Sequence, residues 1–235
     1  MAAVLGFDRS QISDHRAESI TETAAEKIAA YTKRRQDREP LAYIMGRCSY
    51  RGLVLAIDPR VLVPHPQSGQ LVDVAVKLPR GARVHDVGTG AGPIALSIKS
   101  ERPDLVVTGS DVSAAAIDVA RENAARLRLD VEFAVADGLP PGNYHLVVAD
   151  LPYADRSAKI IRQPPETRYQ PEVAHYGGAD GHETIRRVVR GMRSGTTVAI
   201  QHAVAQTDTV RLLLSEPDTF GDPRYSARFT FGRVR

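Results

Sequence analysis

Val84-His85-Asp86-Val87-Gly88-Thr89-Gly90-Ala91-Gly92 decides the fold. A short apolar run ends at an acidic residue, and three glycines follow at alternate positions. The run at 84–87 reads as a strand, and residues 94–99 beyond the glycines carry a helical pattern. The alternation then continues. Residues 105–109 form a second strand ending at Asp111, and Ala114–Leu127 an Ala-rich helix. Residues 131–134 form a third strand ending near Asp137, and 146–149 a fourth ending at Asp150. A helix at 185–192, a fifth strand at 197–201, a helix at 210–214 and one clear strand at 226–232 complete the pattern. Strand–helix alternation implies a mainly parallel, twisted sheet covered on both faces. Ligands of such sheets sit beyond the carboxyl ends of the strands.

Four acids, Asp86, Asp111, Asp137 and Asp150, fall at those ends. The glycines of 88–92 permit a tight turn and a close approach of backbone to ligand. Asp111 lies about 20 residues beyond the turn, where a carboxylate accepts both hydroxyls of a ribose. A nucleoside cofactor follows, and Asp86 narrows its type. An acid beneath the turn repels a pyrophosphate but suits a cationic amino-acid group. S-adenosylmethionine is therefore favoured over NAD, and with it a transferase over an oxidoreductase.

Upstream, Ile20, Ala24, Ile28 and Tyr31 recur at spacings of four, four and three, one face of a helix over about 13–36. It packs on its own domain or on a second subunit. Between about 40 and 66, residues 43–45, 53–57 and 61–63 are strand-like, and glycines and Asp58-Pro59 punctuate them. These suggest a small β-hairpin. The expected division is a reduced helical segment at 1–36, a hairpin linker at 37–70 and a cofactor-binding domain at 71–235.

Composition is that of a globular protein: 43% hydrophobic and 25% charged among 235 residues. No apolar run reaches the roughly 18 residues of a membrane helix, and no basic region precedes the N-terminal apolar stretch as in a secretory signal. The single cysteine, Cys48, excludes an intramolecular disulfide and a Cys-based zinc site, which fits a reducing cytoplasm. Net charge is only +3, and Lys33-Arg34-Arg35 reads as a solvated helix end. No basic cluster with interleaved aromatics points to nucleic acid. His175 and His182 lack a third partner at ligand spacing, His85 reads as a strand residue with a satisfied ring, and no metal site is implied.

The set Asp86-Val87-Gly88-Thr89-Gly90-Ala91-Gly92 with Asp111 and Asp137 resembles the first motifs of class I S-adenosylmethionine-dependent methyltransferases. Pro40-Leu-Ala-Tyr-Ile-Met-Gly46, Tyr169-Gln-Pro171 and Gly177-Gly178-Ala-Asp180-Gly181 resemble the release-factor glutamine methyltransferase family more narrowly, over about residues 38–214. The resemblance implies a Rossmann-like α/β fold with a short N-terminal helix and hairpin extension. It implies that Asp86, Gly88, Thr89, Gly90 and Gly92 hold the methionine end of the cofactor. Asp111 and Val112 would take the ribose, Asp137 with Gly138 would border the adenine, and Asp150 would lie at the methyl.

The acceptor motif departs from the family. Asn-Pro-Pro-Tyr becomes Asp150-Leu151-Pro152-Tyr153. An amide nitrogen is a poor nucleophile because its lone pair is delocalised. Two acceptors on its hydrogens, a side-chain oxygen and the carbonyl of Leu151, would concentrate density on it, and Tyr153 would stack on a flat group. Asp150 still accepts, and more strongly when charged, but unlike Asn it can take a proton, which suits an amine, hydroxyl or cationic acceptor better than a neutral amide. Pro152 keeps Leu151 extended. The entrance motif Pro-Arg-Pro-Glu/Asp-Thr becomes Pro64-His65-Pro66-Gln67-Ser68, so His65, Pro66 and Gln67 are candidate acceptor contacts, with His65 able to titrate near neutrality. The N-terminal bundle is shortened, Gln201 replaces the family's usual Glu, and one C-terminal strand stands where two are expected. With the cofactor motifs intact and the acceptor region altered, the first expectation is a small-molecule acceptor, methylated on nitrogen or oxygen. The alternatives are the glutamine amide of a release factor or other protein, and a cofactor-binding subunit without activity.

Overall fold

The computed structural model describes residues 2–7, 9–15, 18–156, 164–222 and 227–235. A helical N-terminal part comprises α1 (Ala2–Leu5), α2 (Glu22–Gln36) and α3 (Leu41–Met45). A two-stranded hairpin, β1 (Arg47–Tyr50) and β2 (Leu53–Ala56), follows. The remaining elements are α4 (Gly69–Ala75), β3 (Arg83–Val87), α5 (Pro93–Glu101), β4 (Val106–Asp111), α6 (Ala114–Leu127), β5 (Glu132–Val135), β6 (Leu146–Asp150), α7 (Glu183–Arg190), β7 (Thr197–Ala203), α8 (Thr207–Leu213), β8 (Leu214–Phe220) and β9 (Ala227–Val234).

The main sheet has seven strands in the order β5-β4-β3-β6-β7-β9-β8. All adjacent pairs are parallel except those made by β9, which runs against both neighbours. The order reverses between β3 and β6, the position at which such sheets open a crevice. Side chains alternate across the strands and split the core in two. Leu146 and Val148 of β6 pack with α4, α5, α6 and the hairpin, whereas Val147 and Ala149 pack with α7 and α8. The α/β expectation and the parallel sheet are borne out.

Three local readings need correction. Residues 43–45 are not a strand but the end of α3, which starts after Pro40 and stops at Gly46, whose φ is 65°. Pro at the start and a left-handed Gly just past the end punctuate a helix rather than a strand. The partner of β2 is therefore β1, joined through Arg51 and Gly52, both at positive φ, as a two-residue hairpin requires. Residues 61–63 are an irregular segment that reaches the main domain: Val63 N–H donates to Gln170 Oε1 at 2.9 Å. The C-terminal end holds two strands, not one. Pro217 and the positive φ of Glu216 disguise β8, and its register with β9 shifts between Ser215 and Asp218. Ser226, at the start of the expected strand, lies outside the described residues.

Helix α2 starts at Glu22, capped by the Thr21 hydroxyl, not near 13, so Ile20 of the expected stripe lies outside it and exposed; Ala24, Ile28 and Tyr31 are half-buried and no residue of the helix is fully buried. Polar contacts tether its C-terminal end to residues 166–169: Arg35 and Arg38 pair with Glu166, and the Tyr169 hydroxyl donates to the Asp37 carbonyl at 2.8 Å.

One buried side chain joins hairpin, helix and glycine turn. Asn123 of α6 is fully buried, accepts from Ala56 N–H at 2.7 Å and donates to the carbonyls of Ala56 and Ala91, each at 3.1 Å. Asn123→Ala strands those backbone groups and should cost about 2–3 kcal/mol. At 2–4 °C per kcal/mol for a chain of this length, Tm falls by roughly 4–12 °C. A thermal melt within about 2 °C of wild type would contradict this assignment.

Candidate functional site

The glycine turn hangs from the β3–β4 junction. Gly88 N–H and Thr89 N–H both donate to the Ser110 carbonyl, at 2.8 and 2.9 Å. Gly88, Gly90 and Gly92 take positive φ of 76°, 55° and 83°, a conformation that side chains with a Cβ resist. At Gly92 a Cβ would also meet Leu96 and Phe133 at 3.0–3.2 Å, so the glycine lets α5 start against the sheet. At Gly90 a Cβ would meet nothing within 4 Å, because this residue faces a cavity of about 220 Å³.

Asp86 lies beneath the turn, fully buried. Its Oδ2 accepts from the Thr89 hydroxyl at 2.7 Å and from Ala95 N–H at 3.3 Å, while Oδ1 is buried with no partner. Burial, opposed by those two hydrogen bonds and aided by the charges of Asp150 and Asp111, pushes its carboxyl up to about 7. Asp111, at the end of β4, accepts from Gly90 N–H on Oδ2 and from Ser113 N–H on Oδ1, each at 2.9 Å. Both oxygens are thereby aimed, each with a lone pair to spare. Burial raises its carboxyl too. Val112, Asp137 and Gly138 line the same cavity. Asp137 is exposed and paired with Arg187, and the Gly138 carbonyl accepts from the Ser110 hydroxyl at 3.1 Å. That hydroxyl also meets His85 Nε2 at 2.9 Å, and His85 Nδ1 meets the Thr108 hydroxyl at 2.7 Å, so its ring is satisfied as expected.

A second cavity of about 400 Å³ adjoins the first. Gly88, Gly90, Asp150, Leu151 and Pro152 line both, so the end of β6 forms the partition. Asp150 accepts a short hydrogen bond from the Ser68 hydroxyl, and burial, opposed by that bond, raises its carboxyl to about 6. Leu151 is buried against Gly88, where a Cβ would sit 3.1 Å from its Cδ2. Tyr153 lines the second cavity; burial raises its hydroxyl, as does Asp150, while the Gln201 side chain bound to it has the opposite effect.

The Gly177–Gly181 segment latches onto this motif. Gly177 N–H donates to the Ala154 carbonyl at 3.0 Å, and a Cβ on Gly177 would come within 2.6 Å of the Pro152 carbonyl oxygen. Gln206 Nε2 spans the two, donating to the carbonyls of Gly181 and Tyr153 at 2.5 and 3.4 Å.

Of the expected entrance residues, His65 lines the second cavity, its ring accepting from Gln67 N–H at 3.4 Å and held neutral by burial. Pro66 and Gln67 line neither cavity. The next residue, Ser68, is the one that reaches Asp150. Ser68 was not among the expected contacts although it ends the altered entrance motif, and its burial is the signal the sequence lacks.

The residues fit S-adenosylmethionine. An unpartnered carboxyl oxygen lies under a turn whose positive φ values call for glycine, and a braced carboxylate stands at ribose distance along the chain. A family model described as the methyltransferase small domain matches residues 68–163, and one described as the PrmC N-terminal domain matches residues 1–46. The release factor glutamine methyltransferase of Gloeobacter violaceus is 36% identical over 233 residues, covering 93% of this chain and 81% of that protein. The Neisseria gonorrhoeae protein of the same name is 32% identical over 220 residues, covering 89% and 80%. This chain belongs to the release factor glutamine methyltransferase family. It is an S-adenosylmethionine-dependent methyltransferase.

Solved structures agree at the level of fold. The human Mettl16 catalytic domain in complex with an RNA hairpin aligns with a TM-score of 0.62 at 13% identity, covering 91% of this chain and 82% of that one. A Thermus thermophilus 16S rRNA guanine methyltransferase in complex with its cofactor and guanosine aligns with a TM-score of 0.57 at 15% identity, covering 80% and 50%. The names of the sequence relatives specify a protein acceptor, so the first expectation, a small molecule, finds no support among them. Its premises also weaken in the structure. The C-terminal strand pair is complete, residues 1–46 match the family's N-terminal module, and Asp150 keeps its acceptor atoms in the cavity wall.

Two predictions test this geometry. Asp111→Ala removes charge-assisted bonds worth roughly 1.5–3 kcal/mol each, so calorimetric affinity for S-adenosylhomocysteine should fall at least about tenfold; an unchanged affinity would contradict the ribose assignment. Asp86 should leave its mark on stability. Its folded-state value is raised from 3.8 to about 7, so between these values the folded protein holds a proton that the unfolded chain has released. Stability therefore falls as pH rises across that window, and Asp86→Asn, with no proton to lose, removes this slope. Urea unfolding of both proteins across the window reads the difference; parallel pH curves would contradict the raised value.

Proposed function

We infer that this protein transfers a methyl group to the side-chain amide nitrogen of a glutamine in a protein acceptor, a release factor in the first instance. The observation that carries this reading is the partition residue, Asp150, an acceptor that faces both the cofactor cavity and its neighbour. The family's named acceptor supports it.

When bound, S-adenosylmethionine supplies an electrophilic methyl group on a positively charged sulfonium. The chain's task is to bring the nucleophile in line and to raise its electron density. Asp86 and the turn at Gly88–Gly92 hold the amino-acid end, Asp111 and Val112 the ribose, and Asp137 with Gly138 the adenine edge. Leu151 packs the turn from the acceptor side. Asp150 accepts one amide N–H, the Leu151 carbonyl takes the other, and Tyr153 covers the flat amide. The Ser68 hydroxyl fixes the orientation of Asp150. The Asp150 carboxylate is placed to take the proton that the nitrogen would give up when the methyl carbon leaves sulfur for nitrogen, the carbon–sulfur electron pair staying on the departing thioether of S-adenosylhomocysteine.

The departure from Asn to Asp suits this task in its ionised form, since a charged acceptor makes the stronger bond. Activity should fall as pH drops through about 6, where burial places the Asp150 carboxyl. Asp150→Ala should lower kcat by about 10² or more, with affinity for S-adenosylhomocysteine unchanged. Asp150→Asn keeps an acceptor and loses the charge; its rate should lie between the two and lack the acid limb. Mass spectrometry of an intact release factor incubated with protein and cofactor tests the reading. A single methyl group on a glutamine side chain is expected; an unmodified release factor alongside turnover of another acceptor would overturn it.

A further inference from the structure

One wall of the second cavity has two faces. It is the short 3-10 helix Pro165–Tyr169, in which side chains three residues apart eclipse one another. Pro164, Thr167 and Gln170 accordingly share one ridge, and all three line the second cavity. Glu166 and Tyr169 share another ridge, line neither cavity and reach the C-terminal end of α2. Glu166 Oε1 pairs with Arg35 Nη2 at 2.9 Å and with Arg38 Nη2 at 3.1 Å. Beside it, the Asp37 carbonyl accepts from the Arg168 guanidinium at 2.5 Å as well as from Tyr169. Little else fixes this wall. No residue of the 3-10 helix is fully buried, and Tyr169 packs only partly against the apolar core. On the side away from α2, Gln170 Oε1 takes the Val63 N–H. Arg38 carries a further mark of the contact. Its φ is 67°, in the left-handed region that glycine occupies without steric cost and other residues resist. An arginine at this position brings the ion pair that a glycine would lack.

We propose that Glu166 is a positioning residue for the acceptor: clamped by Arg35 and Arg38, it holds the ridge of Pro164, Thr167 and Gln170 where the glutamine side chain and its flanking backbone pack. Helix α2 then shapes the second cavity without lining it. The proposal deepens the glutamine reading and rests on it for the identity of the acceptor. The clamp is the same before and during transfer, so it contributes to binding of the acceptor and not to the chemical step. Its loss belongs in KM rather than in kcat. The cofactor cavity contains no residue of the ridge, so affinity for the cofactor is independent of the clamp.

Variants on both sides of the clamp test it. Glu166→Ala should raise KM for an intact release factor about fivefold, with kcat and affinity for S-adenosylhomocysteine within about twofold of wild type. Arg35→Ala combined with Arg38→Gly should do the same, although the glycine relieves the backbone, and Tm should stay within about 3 °C of wild type. Joining all three substitutions should be no worse than either side alone, as for a single interaction. Additive changes in KM, or a wild-type KM in Glu166→Ala, would overturn the proposal. A short peptide carrying the acceptor glutamine separates the clamp from direct contact between α2 and the body of the release factor. Its kcat/KM should fall by the same factor; an effect confined to the intact protein would overturn the positioning role. Hydrogen exchange needs no acceptor. The Val63 N–H, bound to Gln170, should exchange about threefold or more faster in Glu166→Ala, while the Gly90 N–H, bound to Asp111, keeps its wild-type rate. Unchanged exchange at Val63 would overturn the clamp. Failure of the wild type to methylate a release factor would contradict the glutamine reading, and exchange at Val63 would then decide the clamp by itself.

Discussion

Three carboxylates, Asp86 buried and Asp111 and Asp150 half-buried, gather around one crevice at the ends of β3, β4 and β6, and the rest of the site is arranged around the cost of keeping them there. Like charges in a dry environment raise one another's affinity for protons. The chain meets that cost unequally. Asp111 receives two backbone N–H groups, Asp150 one hydroxyl, and Asp86 a hydroxyl and one long N–H while its second oxygen goes without. Among the described residues none of these three carboxylates forms an ion pair, although Arg60, Arg156 and Arg187 line the cavity farther from the turn. A cofactor that carries a sulfonium and an ammonium supplies what the fold withholds, and a pyrophosphate would add to the deficit.

The strand-order reversal makes this crowding possible. β3 and β6 are neighbours in the sheet but far apart in sequence, so Asp86 and Asp150 meet only once the crossover is formed. The hairpin segment closes the other side. Ser68 stands just ahead of α4 and reaches Asp150, Val63 is tied to Gln170, and Tyr43 of α3 donates to the Val61 carbonyl at 2.5 Å. Through Glu166 and Tyr169 the same chain region contacts α2. The second cavity is therefore built jointly by the N-terminal extension and the sheet.

What the sequence makes legible is the part governed by local pattern. Strand runs ending in acids, the glycine turn and the capped Ala-rich helix α6, with Ser113 accepting from Ala116 N–H at 3.2 Å, all follow from short-range rules. Residues 43–45 mislead because their composition suits a strand while their flanking Pro40 and Gly46 specify a helix. β8 hides because a proline and a bulge break its alternation. The altered positions Ser68 and Gln201 are visible in the sequence, but that Ser68 reaches Asp150 and that Gln201 is its registered neighbour is not, because contacts across strands are not encoded locally.

The most direct test of this account is a carboxyl-carbon NMR titration of Asp86 and Asp150 in the protein, with and without S-adenosylmethionine. The account predicts that both titrate well above ordinary aspartates in the free protein, near 7 and near 6, and that the bound cofactor draws Asp86 down. Free-protein values close to 3.8 for both, or values untouched by the cofactor, would contradict it.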